Sequence, residues 1–137
     1  EVNAHLIPAI IRKLHSATLK NTDIVTIWGD GTARREFVYV GDIVELLWDA
    51  CDRFESLPDL MNVGVGMDNS ITDFYEIAAS VIGYKGQFSH DLSQPIGMKQ
   101  KLVCRRNAHD WGWQAKVDLR LGIKATYQFY KGLALDG

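Results

Sequence analysis

The residues best suited to chemistry form one short run, from Trp28 through a glycine turn to Phe37, which reads WGDGTARREF. It combines an aromatic ring with two adjacent arginines, Arg34 and Arg35. An aromatic ring can stack on a flat base, and a guanidinium binds phosphate through two parallel hydrogen bonds. Other cations could converge on the same place: Arg12, Lys13, Lys99 and Lys101. The run therefore predicts a phosphate or nucleotide site, with ordinary solvated charges as the alternative.

Two other motifs have part of the spacing of cofactor sites. Gly64-Val65-Gly66 lies between a predicted strand and a predicted helix, but Asn69 replaces the third glycine of a dinucleotide fingerprint. A plain strand-to-helix turn is the better interpretation. Tyr127 and Lys131 have the Tyr-x-x-x-Lys spacing that puts a phenol and an ammonium on one helix face. The pair lies close to the last residue and without an obvious nicotinamide site, so we interpret it as a coincidence of helix packing.

The candidate residues must be positioned by the elements around them. Ile7, Ile10, Ile11 and Leu14 recur at helical spacing and predict an amphipathic helix through about Lys20. Proline is tolerated only in the first turn, so this helix should begin between His5 and Pro8, with His5 at its mouth. The sequence DIVTIW, residues 23–28, predicts a strand that ends at the glycine turn.

The rest of the chain alternates between short strands and helices. The predicted elements are a strand over Glu36–Val40, a helix opened by Gly41-Asp42, a buried strand over Leu60–Val65, a helix from a Ser70–Asp73 capping box to Gly83, an edge strand over Gly86–His90, a loop over 91–106, a helical turn over Asn107–Trp113 and a last helix from Asp118 to about Lys131. In the second helix, Ile43, Leu46, Leu47 and Ala50 should face the core, and the acids Asp42, Glu45, Asp49 and Asp52 should be solvated.

This order predicts a small mixed α/β fold. About four short strands occur, and they do not form a run of βα units long enough for a doubly wound sheet. We find no repeat or linker, and the length of 137 residues suits one domain over 1–137.

Composition limits the possible functions. Hydrophobic residues make up 47% and charged residues 23%, which is ordinary for a folded domain. The formal charge of −2 disfavours a nucleic-acid partner. The longest apolar stretch, Leu6–Ile11, is far shorter than the about 20 residues of a membrane span. Two cysteines, Cys51 and Cys104, are too few for a disulfide framework, so we expect a cytoplasmic setting.

Several segments together resemble the C-terminal half of the GDP-L-fucose synthase family, NADP-dependent epimerase/reductases of the extended short-chain dehydrogenase class. These segments are HLIPAIIRKL (5–14), WGDGTARREF (28–37), VGD (40–42), NVGVG (62–66) and GYKG (83–86). The resemblance runs in register over nearly all 137 residues.

The resemblance implies roles for five residues. His5 matches the family's catalytic histidine, an acid in the epimerisation, and imidazole suits that task near neutral pH. Trp28 and Arg35 match residues that hold the GDP portion of the substrate. Lys101 matches a GDP-contacting lysine, and Lys13 stands where the family has an arginine, which keeps the charge but loses the planar fork.

The sequence departs from the family pattern in one loop and at one further position. The loop IGMKQK (96–101) replaces a pattern close to DGTPRK, and Cys104 stands where an aspartate is usual. The family's NADP site, its Ser/Tyr/Lys group and its catalytic cysteine lie in a preceding Rossmann half. This chain therefore has no cofactor-binding residues of its own and no predicted metal site, and we expect no epimerase/reductase activity from it alone.

Two functional hypotheses remain. The first is a substrate-binding domain for a GDP-linked deoxyhexose. The second is a non-catalytic remnant or assembly module without sugar-nucleotide activity. Because the strand over 60–65 joins the Rossmann sheet in the family, its edge and nearby apolar helices should lie bare here, and we expect either a Rossmann-domain partner or self-association.

Overall fold

The computed structural model describes residues 5–135. Five helices and five short strands are found in that part of the chain. In chain order they are α1 (Leu6–Leu19), β1 (Ile24–Trp28), β2 (Arg34–Arg35), α2 (Val40–Asp52), β3 (Asn69–Ser70), α3 (Ile71–Ile82), β4 (Gln87–Asp91), β5 (Gln100–Lys101), α4 (Arg106–Asp110) and α5 (Leu119–Leu135), with a 3-10 turn at Phe54–Ser56. The predicted mixed α/β class is confirmed.

The strands form two separate small sheets. β1 and β4 pair in parallel, with Ile24 opposite Gln87 and Trp28 opposite Asp91. In the second sheet β2 lies between β3, to which it is antiparallel, and β5, to which it is parallel. The chain leaves β1, turns through five residues and enters the second sheet, so the two sheets are joined at the Trp28–Arg35 run.

The main core lies between α1, α3, α5 and the β1–β4 pair. Helix α1 contributes Ile10 and Leu14, strand β1 contributes Ile27, and α3 contributes Phe74 and Ala78, all almost fully buried. The predicted apolar stripe of α1 is therefore confirmed. A smaller second core is made by Leu46 of α2, Ala108 and Trp113.

Helix α3 begins at the predicted capping box. The Ser70 hydroxyl accepts a hydrogen bond from the backbone N–H of Asp73 at 3.0 Å, and the Asp73 carboxylate accepts one from the backbone N–H of Ser70 at 2.8 Å. The helix ends at Gly83, whose φ of 89° is the left-handed conformation that favours glycine.

We predict that Ser70→Ala lowers the free energy of unfolding by about 1 kcal/mol, because one N–H of the first turn loses its side-chain acceptor. Urea unfolding of the variant and the parent chain measures the difference. Ser80→Ala is the matched control, since Ser80 accepts only a surface hydrogen bond from Arg120 at 2.9 Å. An equal loss in both variants would contradict a capping role.

Two predicted strands are wrong. Residues 36–39 are irregular and helix α2 already begins at Val40, because the neighbours of β2 are only two residues long and the ladder cannot continue. Residues 60–65 are also irregular, with no strand alongside them in the described part of the chain. One of their carbonyl groups, that of Leu60, accepts from the Asn107 side chain at 2.7 Å instead.

The predicted orientation of α2 is partly wrong. Asp42 is buried rather than solvated, since its carboxylate accepts hydrogen bonds from the backbone N–H groups of Lys116 and Val117 at 2.9 and 3.0 Å. Leu46 is buried as predicted, but Leu47 is exposed. The helix thus uses one side for the small core and leaves apolar side chains on another.

No helix in the described residues is long and apolar enough to cross a bilayer.

Candidate functional site

The turn after β1 is ordered by its own hydrogen bonds. The Asp30 carboxylate accepts from the backbone N–H of Thr32 at 2.9 Å and from its hydroxyl at 2.8 Å. These bonds hold the pKa of Asp30 below its usual value, so the turn carries an ionised carboxylate near neutral pH. Gly29 has a φ of 70°, which lets the chain reverse directly after Trp28. Trp28 itself is 65% exposed at the end of β1, where its ring is open to a ligand.

Arg35 and Lys101 are brought together by the second sheet. They are register neighbours in the parallel β2–β5 pair, directly after the Arg34 and Gln100 pair. Successive residues of a strand point to opposite faces, so Arg35 and Lys101 share one face and Arg34 and Gln100 share the other. Two cations predicted to contact GDP, far apart in the sequence, therefore lie side by side.

The loop before β5 links this pair to the Trp28 turn. A Cβ placed on Gly29 would lie 3.3 Å from Cγ1 of Ile96, and a Cβ placed on Gly97 would lie 3.9 Å from Nη2 of Arg35. The Ile96-Gly97 segment therefore contacts the turn on one side and approaches the Arg35 guanidinium on the other. The loop that departs from the family pattern is part of this same region.

A large open groove runs along α1 and β1, with a volume of about 990 Å³. This is at the upper end of the size of small-molecule sites. Its described lining residues include the cations Arg12, Lys13 and Lys20, the aromatic rings of Trp28 and Tyr75, and no carboxylate. A groove lined by cations and aromatic rings is suited to an anionic ligand with a flat ring.

Lys13 is held in the groove by contacts with β1 and α3. Its ammonium donates a hydrogen bond to the backbone carbonyl of Thr26 at 2.5 Å and lies 5.9 Å from the centre of the Tyr75 ring. Partial burial lowers its pKa from the usual lysine value, since desolvation disfavours the charged form. Two of its three N–H donors remain for a ligand.

The predicted site residues divide into three places. Lys13 and Trp28 line the groove, while Arg35 and Lys101 form the pair in the second sheet and are outside the groove lining. His5 directly precedes α1, is exposed, and its carbonyl accepts from the N–H of Ala9 at 3.0 Å. It precedes Lys13 by about two helical turns and does not line the groove. Their roles in binding and catalysis stay predictions.

Sequence reasoning missed Tyr75, Lys20, Asp68 and Gln100. Tyr75 follows buried Phe74, and its place in the apolar stripe of α3 predicts only a core residue. Its hydroxyl is the one signal for another role, because a tyrosine hydroxyl favours a position at the solvent-facing edge of a core. Lys20 is the last lysine of the α1 region and had no motif to mark it. Asp68 and Gln100 contact each other only because of the register in which the strands pair, and no motif in the sequence indicates that register.

The Tyr127/Lys131 pair and the Gly64–Gly66 turn have structural roles. Tyr127 is buried, its hydroxyl lies 3.0 Å from Nδ1 of His15, and burial raises its pKa, whereas catalysis by such a pair needs a lowered phenol pKa. At Gly66, the backbone N–H donates to Glu36 at 2.6 Å, and the Arg105 side chain occupies the space a Cβ would take. Within residues 5–135, no cluster of three or more His, Cys, Asp and Glu could hold a metal.

Comparisons with known proteins show which proteins this chain is similar to. A model of the NAD dependent epimerase/dehydratase family matches residues 1–64. GDP-L-colitose synthase of Yersinia pseudotuberculosis is 42% identical over 130 residues, which cover 95% of this chain and 42% of that protein. GDP-L-fucose synthase of Azorhizobium caulinodans is 44% identical over 127 residues, which cover 93% of this chain and 41% of that protein. The resemblance to the GDP-L-fucose synthase family is confirmed.

A solved structure supports the same relationship. The GDP-mannoheptose C4 reductase of Campylobacter jejuni, solved with NADP bound, superposes with a TM-score of 0.80 at 28% identity, covering 95% of this chain and 46% of that one. The fold described above is thus the fold of part of a short-chain epimerase/reductase. The chain spans about two fifths of the length of its GDP-L-fucose and GDP-L-colitose synthase relatives.

Proposed function

We propose that this chain is the nucleotide-sugar-binding part of a GDP-L-fucose synthase-like epimerase/reductase, and that its ligand is a GDP-linked deoxyhexose. The observation that carries the proposal is the groove along α1 and β1, which has three cations, two aromatic rings and no carboxylate among its described lining residues. Its exposed Trp28 leads directly into the turn that ends at the Arg35 and Lys101 pair.

The proposed division of roles follows from the chemistry of each side chain. Trp28 stacks on a flat ring of the ligand, and Arg35 binds a phosphate with its planar fork. One of Arg35's donors already bonds to the carbonyl of Arg34 at 2.6 Å, which orients the guanidinium and leaves the others for the ligand. Lys13 and Lys101 add positive charge, and His5 transfers a proton to or from the sugar.

In the family, NADP supplies the hydride for the reduction, and the Rossmann half that precedes the substrate-binding half binds NADP. We propose that this chain alone binds the nucleotide sugar without epimerising or reducing it. A spectrophotometric assay with the keto-sugar substrate should show no NADPH consumption by the pure chain. Consumption above the level of a no-protein blank would refute this.

The free, exposed cysteines Cys51 and Cys104 are compatible with the cytoplasm, which we propose as its compartment.

A calorimetric titration of GDP and then of UDP into the pure chain tests the binding proposal. We expect saturable heat with GDP and weaker binding of UDP. Absence of heat, together with an unchanged melting temperature in the presence of GDP, would favour the second candidate, an assembly module. The observation that favours this candidate is an exposed apolar stripe on α2, formed by Val40, Val44, Leu47 and Trp48.

We propose that the α2 stripe meets a Rossmann domain where one is present, and that the chain alone associates through it with a second copy. Relatives more than twice as long as this chain support the first contact. The hydrophobic effect supports the second, since apolar side chains that are exposed on the chain alone are stabilised by burial against one another.

Lys13 gives the binding a predictable pH dependence. A bound diphosphate favours the charged ammonium and so raises the pKa of Lys13, which burial lowers in the free chain. At a pH above the Lys13 pKa of the free chain, binding of GDP is therefore accompanied by uptake of a proton. GDP affinity should therefore decline as pH rises through the lowered Lys13 pKa, below the ordinary lysine value of about 10.4.

Lys13→Arg should remove this decline, because a guanidinium does not titrate in that range. The guanine base also titrates at alkaline pH, so calorimetry compares the variants with the parent at each pH. Lys85→Arg changes an exposed lysine outside the groove and should keep the decline. Identical pH profiles for Lys13→Arg and the parent would contradict the predicted role of Lys13.

A further inference from the structure

The Arg35 and Lys101 pair depends on a very short ladder. Strands β2 and β5 each contain two residues, and a backbone hydrogen bond just before the pair joins the N–H of Arg34 to the carbonyl of Lys99 at 2.8 Å. Several apolar side chains of the β5 segment are exposed rather than packed, including Ile96, Met98 and Leu102. Because the ladder is short and few side chains pack against it, the attachment of β5 to β2 depends mostly on polar side-chain contacts.

One polar link is made by Asp68, just before β3. Its carboxylate is 8% exposed and accepts hydrogen bonds from Nε of Arg34 at 2.7 Å and from Nε2 of Gln100 at 2.5 Å. Its backbone carbonyl accepts a third, from Nη2 of Arg34 at 2.7 Å. The Gln100 and Arg34 bonds hold the pKa of Asp68 below its usual value, so the link is present at neutral pH. One buried carboxylate therefore joins the residue before Arg35 to the residue before Lys101.

A second link follows the pair on the other side. The carboxylate of Glu36 accepts hydrogen bonds from the backbone N–H of Gly66 at 2.6 Å and from that of Val103 at 3.0 Å. Glu36 comes directly after Arg35, and Val103 comes two residues after Lys101. The two carboxylates thus hold β2 and β5 together before and after the cation pair.

We infer that Asp68 and Glu36 are positioning residues that fix Lys101 beside Arg35 and so assemble the phosphate-binding face of β2 and β5. The inference rests on the proposed function, since it assigns to these carboxylates the assembly of that same site. The Asp68 link does not share the face of Arg35 and Lys101, because the Arg34 and Gln100 side chains that reach Asp68 lie on the opposite face of the strands.

Gln100→Ala is the sharpest test, because Gln100 is exposed and its loss leaves the Arg34–Asp68 bonds in place. GDP affinity should fall about fivefold, the effect of losing one hydrogen bond of average net strength on a binding segment. Gln94→Ala is the matched control: it removes a 3.3 Å bond to Asp91 in the same loop and should leave affinity unchanged. Asp68→Ala should have a larger effect, but it also removes contacts that hold the sheet together.

A double-mutant cycle separates positioning from general stability. With Lys101→Ala in the background, Gln100→Ala should cost almost no further GDP affinity, since there is no ammonium left to position. An equal loss of affinity in both backgrounds would overturn the inference in favour of a purely structural role.

Hydrogen exchange of the ligand-free chain tests the links without any nucleotide. Gln100→Ala and Glu36→Gln should each accelerate exchange of the backbone amides of 99–103, and Gln94→Ala should not. Unchanged exchange in both variants would overturn the inference even if GDP binds. Accelerated exchange in a chain that shows no heat with GDP would instead refute the proposed function and leave the two links supported.

Discussion

Replacing Arg35 with alanine is expected to weaken GDP binding by about 10- to 100-fold, the loss typical of charge-assisted hydrogen bonds to phosphate. His5→Ala should leave GDP affinity nearly unchanged, because its proposed work is on the sugar and not on the GDP portion. Calorimetric titration of GDP into each variant measures the two affinities and tests this difference. Equal losses in both variants would contradict this division of roles.

The control for Arg35→Ala is an arginine that also carries structural contacts. The Arg53 guanidinium lies 3.9 Å from the centre of the Trp111 ring and donates to the carbonyl of Trp111 at 2.9 Å, next to the smaller core. Arg53→Ala should lower stability and leave GDP affinity unchanged. Arg35→Lys should recover part of the affinity, since the charge returns without the bidentate fork. Full recovery would indicate that charge alone, and not phosphate geometry, decides binding.

Local signals in the sequence predicted the parts of the fold that local physics determines. The apolar spacing of α1, the β-branched run of β1 and the reciprocal hydrogen bonds of Ser70 and Asp73 each depend on neighbours a few residues away. The segments 36–40 and 60–65 have equally good strand composition. Neither forms a strand, because a strand also needs a partner, and the partner is not encoded in the segment itself.

The candidate site was predictable residue by residue but not as an assembly. The resemblance pointed to Arg35 and Lys101 separately, and only the parallel register of β2 and β5 makes them neighbours. That register depends on Asp68 and Gln100, polar residues that no motif distinguishes from solvated ones. Buried Asp42 was misjudged for the same reason, since its backbone donors come from residues 116 and 117, far along the chain.

The α2 stripe leads to the second large expected effect. Val40, Val44, Leu47 and Trp48 recur at helical spacing and are each 60–72% exposed, so they form a continuous apolar surface rather than scattered side chains. We expect the isolated chain to self-associate, with an average mass in sedimentation that rises with concentration. A monomer over a wide concentration range would contradict this.

Leu47→Glu combined with Trp48→Glu should weaken that association by at least about 100-fold, since burial of each side chain contributes roughly 1.5–3 kcal/mol and like charges on the two copies repel. Phe129→Glu is the matched control, because Phe129 is equally exposed but lies on another helix, α5. Persistent association in the double variant would show that another surface is responsible.

The same double variant also separates the two candidate functions. The groove lies along α1 and β1, and none of its lining residues belongs to α2, so a substrate-binding domain should keep its GDP affinity when the stripe is made acidic. An assembly module would lose its measurable property, association, and would show no GDP heat before or after the change. Retained GDP binding by a monomeric variant would therefore assign binding to the groove and assembly to α2, as independent properties of one chain.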